Sequence, residues 1–170
     1  MTTSLRIVIA SGPLTQIAWV TDDLEATERL LTEQFGTGAW TRIPDVVFAA
    51  DTTTLRGEPV EFVAHISLGY AGDLQLELIQ PVRGRTVHAE FLEAHGPGLH
   101  HVCFEVEDVS ASCAEAEAAG VPVLMRGSMM DGEIEFAYLD GSTAGAPYLE
   151  LARIGPQMRE FYAAVRDNAS

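Results

Sequence analysis

The stretch GPGLHHVCFEVED, residues 96–108, decides how this chain is organised. A Gly-Pro-Gly turn leads into a run typical of a buried strand, and the acidic residues at its end favour a helix start. An earlier stretch, GPLTQIAWVTDD at residues 12–23, follows the same plan. In each strand one polar side chain stands near the start, so that Gln16 and His101 become equivalent positions.

A second pair of matching stretches extends this repeat. LQLEL at residues 74–78 resembles YLEL at residues 148–151, and the alignment pairs Glu77 with Glu150. Two matches in the same order indicate a duplicated βαβββ module. The predicted organisation is an N-terminal extension (1–11), a first βαβββ module (12–81), a connection with a short helix (82–97), a second βαβββ module (98–154) and a C-terminal helix (155–170).

Three local predictions complete the secondary structure. Residues 5–10 are predicted to form a short strand within the N-terminal extension. Asp22 is predicted to cap the first helix, with Glu25 completing a capping box. Residues 44–59 show no clean period, so they are predicted to be mostly loop, with some strand around residues 46–49.

Composition excludes several classes of function. The formal net charge is −15 and all ten basic residues are arginines, so the basic footprint of a nucleic-acid binder is missing and an anionic membrane surface is disfavoured. Cys103 and Cys113 lie on a predicted strand and the following helix, which indicates reduced core residues instead of a disulfide framework. The chain shows no signal-peptide pattern and no apolar run of membrane-spanning length, so a cytoplasmic protein is expected.

Strand parity places the repeated polar residues on one face. Residues two apart in a strand share a face, so Gln16, Glu77, His101 and Glu150 lie opposite apolar faces that require helices over them. His100 falls on the packing face by the same rule. Four polar groups repeated by pseudo-symmetry indicate a shared cleft.

At these residues the sequence resembles the vicinal oxygen chelate superfamily of glyoxalases, bleomycin-resistance proteins and extradiol dioxygenases. The resemblance covers about residues 12–152, and GLHHVCFEV at residues 98–106 is similar to the corresponding strand of its methylmalonyl-CoA epimerase branch. It implies an α+β fold in which two tandem βαβββ modules form a curved half-barrel sheet around a central cleft, followed by a C-terminal helix. Members often form dimers, so a homodimer is expected.

The resemblance also implies a metal site. The superfamily's ligand positions fall on Gln16, Glu77, His101 and Glu150, which would hold one divalent ion, either Co, Mn, Mg, Ni, Zn or Fe. The first position departs from the pattern, because it is usually His and is Gln16 here. A Gln amide oxygen is a neutral and weaker ligand that suits hard cations. The alternatives are a core histidine at position 101, and glutamates that face a wet cleft or pair with Arg.

Further residues are candidates for the reaction or for substrate binding. Glu150, Glu105, Glu61 and His65 are the candidate acid–base groups, although Glu61 and His65 could equally be surface residues. Substrate contacts are predicted for Gln75, Tyr148, Trp40, Phe48 and Arg126. For Trp40 and Phe48 the alternative is ordinary core packing.

The leading functional hypothesis is a metal-assisted isomerase, epimerase or lyase. It would remove a proton next to a carbonyl of a small acid or an acyl thioester such as an acyl-CoA, while the metal stabilises the enolate. A glyoxalase-type isomerase is a related option. An Fe(II) extradiol dioxygenase ranks lower, because that branch resembles His-His-Glu ligation and only one His is present here. A metal-free protein that sequesters a drug-like molecule is the alternative from a different class.

Overall fold

The computed structural model describes residues 9–10 and 12–169 of the 170-residue chain. Residues 1–8 and 11, which include most of the predicted N-terminal extension, lie outside the described residues, as does residue 170. Of the predicted strand over residues 5–10, only residues 9–10 are described, and they are not in a strand.

The described part of the chain contains ten strands and four α-helices. The strands are β1 (Leu14–Val20), β2 (Thr41–Phe48), β3 (Thr53–Leu55), β4 (Glu58–Pro59), β5 (Phe62–Ala71), β6 (Leu74–Arg83), β7 (Gly98–Glu105), β8 (Val123–Met129), β9 (Ile134–Asp140) and β10 (Tyr148–Ile154). The helices are α1 (Leu24–Phe35), α2 (Val87–His95), α3 (Val109–Ala118) and α4 (Pro156–Asn168). No helix in these described ranges combines the length and apolar character that crossing a membrane requires.

All ten strands form one curled sheet, in the order β2-β5-β6-β1-β7-β10-β9-β8-β3-β4. Within each module the first strand pairs in parallel with the last, as β1 with β6 and β7 with β10. The two modules join through the antiparallel pair of β1 and β7 at the centre of the sheet. The predicted fold class is therefore confirmed, because two βαβββ modules form a half-barrel and a C-terminal helix follows.

Residues 44–59 contain more strand than the sequence predicted. The strand β2 continues to Phe48, and the hairpin of β3 and β4 pairs with β8 of the second module, as in Thr53 opposite Gly127. A register shift between Ile43 and Val46 interrupts the alternation of β2 at Asp45, whose φ of 53° is left-handed. The short strand β3 depends on a partner strand about 70 residues away in sequence, which no local period reveals.

The cap of the first helix is Asp23, and the prediction of Asp22 was wrong. The Asp23 side chain accepts a hydrogen bond from the Ala26 N–H at 2.9 Å. The Thr21 hydroxyl accepts from the Asp23 N–H at 3.0 Å, which fixes the turn one residue later than the acidic pattern suggested. In the second module Asp108 caps α3 in the same way, through the Ala111 N–H.

The two faces of the sheet bury different clusters. The inner face, which lines the cleft, packs aromatic and aliphatic side chains from both ends of the curled sheet against α2; among them are Phe48, Phe62, Phe136 and Val87. The outer face is covered by α3 over the second module and by α1 over the first. The helix α2 thus fills one end of the half-barrel, while α4 contributes side chains to the cavity.

We expect Phe62→Ala to lower the free energy of unfolding by about 3–5 kcal/mol, because it opens a cavity at the centre of the inner cluster. Phe62 is 1% exposed and stacks on Phe48 with ring centroids 4.1 Å apart. The matched control is Phe35→Ala, since Phe35 is 70% exposed, and its effect should stay within about 0.5 kcal/mol. Urea unfolding measures both values, and equal losses would contradict this description of the core.

Candidate active site

A β-bulge in β7 brings His100 and His101 together. Ala18 of β1 lies opposite His101 and Trp19 lies opposite Leu99, so His100 is an extra residue in the pairing. The Nδ1 atoms of the two rings lie 2.9 Å apart, and both side chains are fully buried. The prediction that His100 lies on the packing face was therefore wrong, because strand parity fails at a bulge.

Three of the predicted metal ligands lie around the fourth, His101. The Nε2 atom of His101 lies 3.0 Å from Glu150 Oε2, 3.7 Å from Glu77 Oε2 and 3.4 Å from Gln16 Oε1. These side chains come from the first and last strands of both modules, as the repeat predicts. Each is at least largely buried, so the donors face one another with little competition from water.

A chain of hydrogen bonds fixes the orientation of the Gln16 amide. Its Nε2 donates to Gln75 Oε1 at 2.7 Å, and Gln75 Nε2 donates to the Tyr70 hydroxyl oxygen at 2.9 Å. An amide that donates through its nitrogen on one side must present its oxygen on the other. The Gln16 oxygen therefore faces His101.

A second chain fixes the tautomers of the two histidines. The Val87 carbonyl oxygen lies 3.4 Å from His100 Nε2 and can only accept, so His100 donates to it from Nε2. Burial lowers the pKa of His100 well below its usual value, so its ring is neutral and its Nδ1 is an acceptor. His101 must then donate from Nδ1 to His100, which leaves a lone pair on His101 Nε2 if that ring is also neutral.

The two series of hydrogen bonds orient the Gln16 oxygen and His101 Nε2 toward the carboxylates of Glu77 and Glu150. An imidazole nitrogen, an amide oxygen and two carboxylates repel one another unless a proton or a metal ion lies between them. Two carboxylates and a divalent ion give zero net charge, whereas one imidazolium leaves one negative charge uncompensated if both carboxylates are ionised. Ligands around an ion at about 2.1 Å stand about 3 Å apart, which suits the separations from His101 Nε2. The donor types and the separations from His101 Nε2 suit a divalent metal, whereas among the described residues the ligand atoms that all lie within 4.8 Å of one another are those of His88, His100 and His101.

The raised pKa values of neighbouring groups indicate that the two carboxylates lack a compensating positive charge. Burial raises the pKa of Glu77 well above its usual value, and the nearby Glu150 raises it further. Burial and the Glu150 carboxylate likewise raise the pKa values of Tyr138 and Cys103. Without a cation, proton retention by Glu77 is the way this buried site relieves its charge.

A cavity of about 470 Å³ opens in front of these donors. Gln16, Glu77 and Glu150 form part of its polar end, and its wall is largely apolar, with side chains such as Phe48, Ile66 and Met129. The helix α4 supplies further lining residues, namely Met158, Arg159, Tyr162, Ala163 and Arg166. An apolar cavity with a few convergent polar groups at one end is the usual form of a small-molecule site.

Sequence comparison assigns the family. Residues 15–138 match the profile of the Glyoxalase/Bleomycin resistance protein/Dioxygenase superfamily. The chain belongs to this superfamily. No functionally curated protein matches the chain at a significant level.

Solved structures of this superfamily share the fold. Methylmalonyl-CoA epimerase from Mycobacterium tuberculosis is 18% identical with a TM-score of 0.58, and the match covers 93% of this chain and 97% of that one. A hypothetical protein from Bacillus halodurans is 17% identical with a TM-score of 0.58, covering 84% and 94%. A Streptomyces coelicolor methylmalonyl-CoA epimerase variant, in complex with 2-nitronate-propionyl-CoA, is 21% identical with a TM-score of 0.54, covering 85% and 96%. These likenesses place the chain beside the epimerase branch in fold.

Three further predicted site residues line the cavity. Gln75 and Phe48 contribute to its wall, and Glu105 lies on it in an ion pair with Arg159 of α4. Their predicted roles in binding and reaction stay predictions.

The remaining predicted residues have other partners and lie outside the cavity lining. Glu61 is exposed and pairs with Arg83 at 2.8 Å, while His65 Nδ1 accepts from the Asp45 N–H at 3.0 Å. The other three have these contacts: Trp40 donates to the Thr32 hydroxyl, Arg126 donates to the Ser110 hydroxyl, and Tyr148 stacks on His100 with centroids 4.4 Å apart. The positions of these five residues do not support their predicted roles in catalysis and substrate binding, which stay predictions.

Three residues at the site were not predicted from the sequence to belong to it. His88 lines the cavity from the first turn of α2, beside His100 and His101. Arg159 and Tyr162 reach it from α4, where the sequence showed only a helical stripe of apolar residues. The Thr86 cap two residues before His88 marks a helix start, but no local pattern indicates that this helix enters the half-barrel.

We expect the protein, purified without chelator, to bind one divalent ion such as Mn²⁺ per chain. His101→Ala or Glu150→Gln should lower the Mn²⁺ affinity at least about tenfold, because each removes a ligand. Glu93→Gln, at an exposed glutamate, is the matched control and should bind like the wild type. Isothermal titration with Mn²⁺ measures the affinities, and equal binding by all variants would place the metal elsewhere.

We expect metal-free protein to lose stability relative to a Glu77→Gln variant as the pH rises. The unfolded chain releases the Glu77 proton near the ordinary Glu pKa of about 4.3, whereas the folded chain holds it to higher pH. The folded state therefore binds more protons between these two pKa values, and its stability falls as the pH rises through that window, by at most about 1.4 kcal/mol per pH unit.

Denaturant unfolding of both proteins in EDTA at a series of pH values measures this difference. Glu77→Gln carries no titrating group at position 77, so subtracting its curve removes the contribution of the carboxyl groups that do not interact with Glu77. A difference that does not change with pH would show that Glu77 has an ordinary pKa in the folded protein.

Proposed function

We propose that this protein is a metal-assisted isomerase of the epimerase type, acting on the carbon next to the carbonyl of a small acid or an acyl thioester. The observation that carries the proposal is that one amide and two carboxylates surround His101 Nε2 at one side of a largely apolar cavity. Such an arrangement binds a cation at the place where a substrate oxygen would develop negative charge.

The proposed metal-binding residues are Gln16, Glu77, His101 and Glu150. A bound divalent ion would act as a Lewis acid toward the carbonyl oxygen. Within that set the side chains have different tasks. Hydrogen bonds hold His101 and Gln16 in orientation. The two carboxylates would neutralise the charge of the divalent ion.

Proton transfer on two sides of the substrate is the second requirement of an epimerase. Glu150 lies on the sheet side of the cavity, and we propose that it accepts the proton there. Tyr162 lines the α4 side, where burial and the carboxylates Glu77 and Glu150 raise its pKa, so the hydroxyl stays protonated and can donate a hydrogen bond to the substrate. Glu105, held by Arg159, is the second candidate base.

Acyl-CoA thioesters are the substrate class that we favour. The Streptomyces coelicolor epimerase carries such a ligand in its structure. In this chain Arg159 and Arg166 line the cavity beside their ion-pair partners Glu105 and Asp73, and they are the side chains through which an anionic group of such a ligand would be contacted. A homodimer and a cytoplasmic location remain predictions from the sequence.

A metal-free protein that sequesters a small molecule is the second candidate function. The apolar wall of the cavity favours it, because such a surface binds a ligand without any reaction. Metal content separates the two functions: stoichiometric metal supports the isomerase, and a metal-free wild type that binds an apolar ligand supports sequestration. An Fe(II) dioxygenase ranks below both, since only His101 among the four converging residues is a histidine.

We expect the wild type to exchange the α-proton of methylmalonyl-CoA for deuterium in D₂O, as measured by mass spectrometry. Glu150→Gln should lower the exchange rate at least about a hundredfold, since general-base contributions lie in that range. Glu93→Gln should exchange like the wild type. The absence of exchange across a panel of 2-methylacyl-CoA compounds, with metal bound, would refute the epimerase.

A further inference from the structure

His88 is a buried histidine at the edge of the candidate active site. It is the second residue of α2 and 3% exposed, and it contributes to the cavity lining. Its ring packs edge-on against Tyr138, with centroids 4.9 Å apart, and lies 4.7 Å from the ring of His100. The ring is therefore held in place on several sides.

One nitrogen of His88 has a partner that determines the tautomer. His88 Nδ1 lies 2.8 Å from the Thr86 hydroxyl, which already accepts from the His88 N–H at 3.4 Å. The hydroxyl has one proton to give, and the other acceptor within reach is the Met125 sulfur at 3.5 Å. A hydroxyl that donates to the Met125 sulfur would instead accept from an Nδ1–H group. Because a ring nitrogen is a much better acceptor than a thioether, we assign the Thr86 proton to the bond with Nδ1 and the His88 proton to Nε2.

The other nitrogen of His88 has no partner. Among the described residues, His88 Nε2 and Thr53 Oγ1 are the two buried side-chain polar atoms without a hydrogen bond. An unpaired buried donor reduces stability, and native proteins retain such groups where a ligand, ion or ordered water completes the bond. His88 belongs to the cavity wall, although its Nε2 atom has almost no exposed surface without a ligand. A bound ligand is the partner that the position offers once binding displaces the side chains that cover Nε2.

We propose that His88 is a substrate-binding residue whose Nε2–H donates a hydrogen bond to a carbonyl or carboxylate oxygen of the compound bound in the cavity. The inference rests on the proposed function only in the class of ligand, a carbonyl compound. A neutral imidazole donor also stabilises negative charge that develops on such an oxygen. Burial, with His101 nearby, keeps the pKa of His88 well below its usual value, so the ring is a neutral donor.

A metal ion held by three histidines is the competing use of this nitrogen. Ring nitrogens of His88, His100 and His101 lie within 4.8 Å of one another. An ion among them would compete with the contact between the two Nδ1 atoms and with the bond to the Val87 carbonyl. The hydrogen-bonded arrangement uses every other nitrogen of the cluster, which favours a ligand oxygen as the partner of Nε2.

Two variants of His88 test the proposal on the full-length protein. His88→Phe keeps the ring and removes the donor, and His88→Gln keeps a donor N–H at a similar reach. His95→Phe is the matched control, because His95 is exposed at the other end of the same helix. The measurements are the guanidinium midpoint without ligand, the Mn²⁺ affinity, and the affinity for methylmalonyl-CoA or, as a probe without CoA, 2-methylbutyrate.

We expect His88→Phe to raise the guanidinium midpoint of the ligand-free protein, because an unpaired polar atom is removed, and to weaken probe binding at least tenfold. His88→Gln should bind the probe within about threefold of the wild type. His95→Phe should change neither quantity, and Mn²⁺ affinity should be the same in all proteins.

Three results would overturn the proposal. The first is that His88→Phe binds the probe as tightly as the wild type. The second is that it has a lower guanidinium midpoint, which would reveal a structural partner of Nε2. The third is that it loses Mn²⁺ affinity, which would make His88 a metal ligand. A wild type that binds neither probe also counts against it. Binding that depends on His88 without any α-proton exchange would refute the epimerase alone, so the two proposals fail separately.

Discussion

The site depends on the position of Gln16, Glu77 and Glu150 around His101 Nε2. Each of the two modules supplies one acidic side chain and one neutral polar side chain to this point. Hydrogen bonds fix the orientation of the two neutral side chains. Gln16 is held by Gln75, and His101 is held by His100. A buried cluster of acceptors is unfavourable by itself, so the surrounding fold must hold it in place, and the stable sheet registers of β1 with β6 and β7 with β10 do so. A cation that bound here would stabilise the folded state, because it would bind the folded chain and not the unfolded one.

The sequence predicted the parts of the structure that follow from strand parity. The repeat located Gln16, Glu77, His101 and Glu150, and alternation placed them on one face, because side chains two apart in a strand must share it. Parity failed at His100, where a β-bulge adds a residue to β7 and turns a packing position into a partner of His101. It also could not show the β3–β4 hairpin, whose pairing with β8 is a tertiary contact.

The positions of the two helices that complete the cavity, α2 and α4, could not be predicted from the sequence for a related reason. Both were predicted as helices, yet their position relative to the half-barrel depends on contacts with distant strands. Phe91 and Val87 of α2 join the inner cluster with Phe62 and Phe136, and this packing carries His88 to the cavity wall. At α4, Glu133 accepts hydrogen bonds from the Gln157 and Met158 N–H groups, which anchors the start of the helix. Tyr162 then faces the carboxylates of the sheet.

The pseudo-symmetry of the fold shows which residue supports Gln16, the proposed ligand at the position where the resemblance implies a histidine. In each module the residue two positions before the proposed ligand glutamate lies opposite the proposed first-strand ligand, as Gln75 opposite Gln16 and Tyr148 opposite His101. In the first module this residue bonds directly to the ligand amide. In the second, Tyr148 stacks on His100, which in turn bonds to the ligand imidazole. Gln16 and Gln75 therefore act as a matched pair, because an amide ligand needs a partner that accepts from its nitrogen and so directs its oxygen into the site. A histidine at position 16 would present different atoms to Gln75 and Tyr70, so the change of ligand and the composition of its supporting residues belong together.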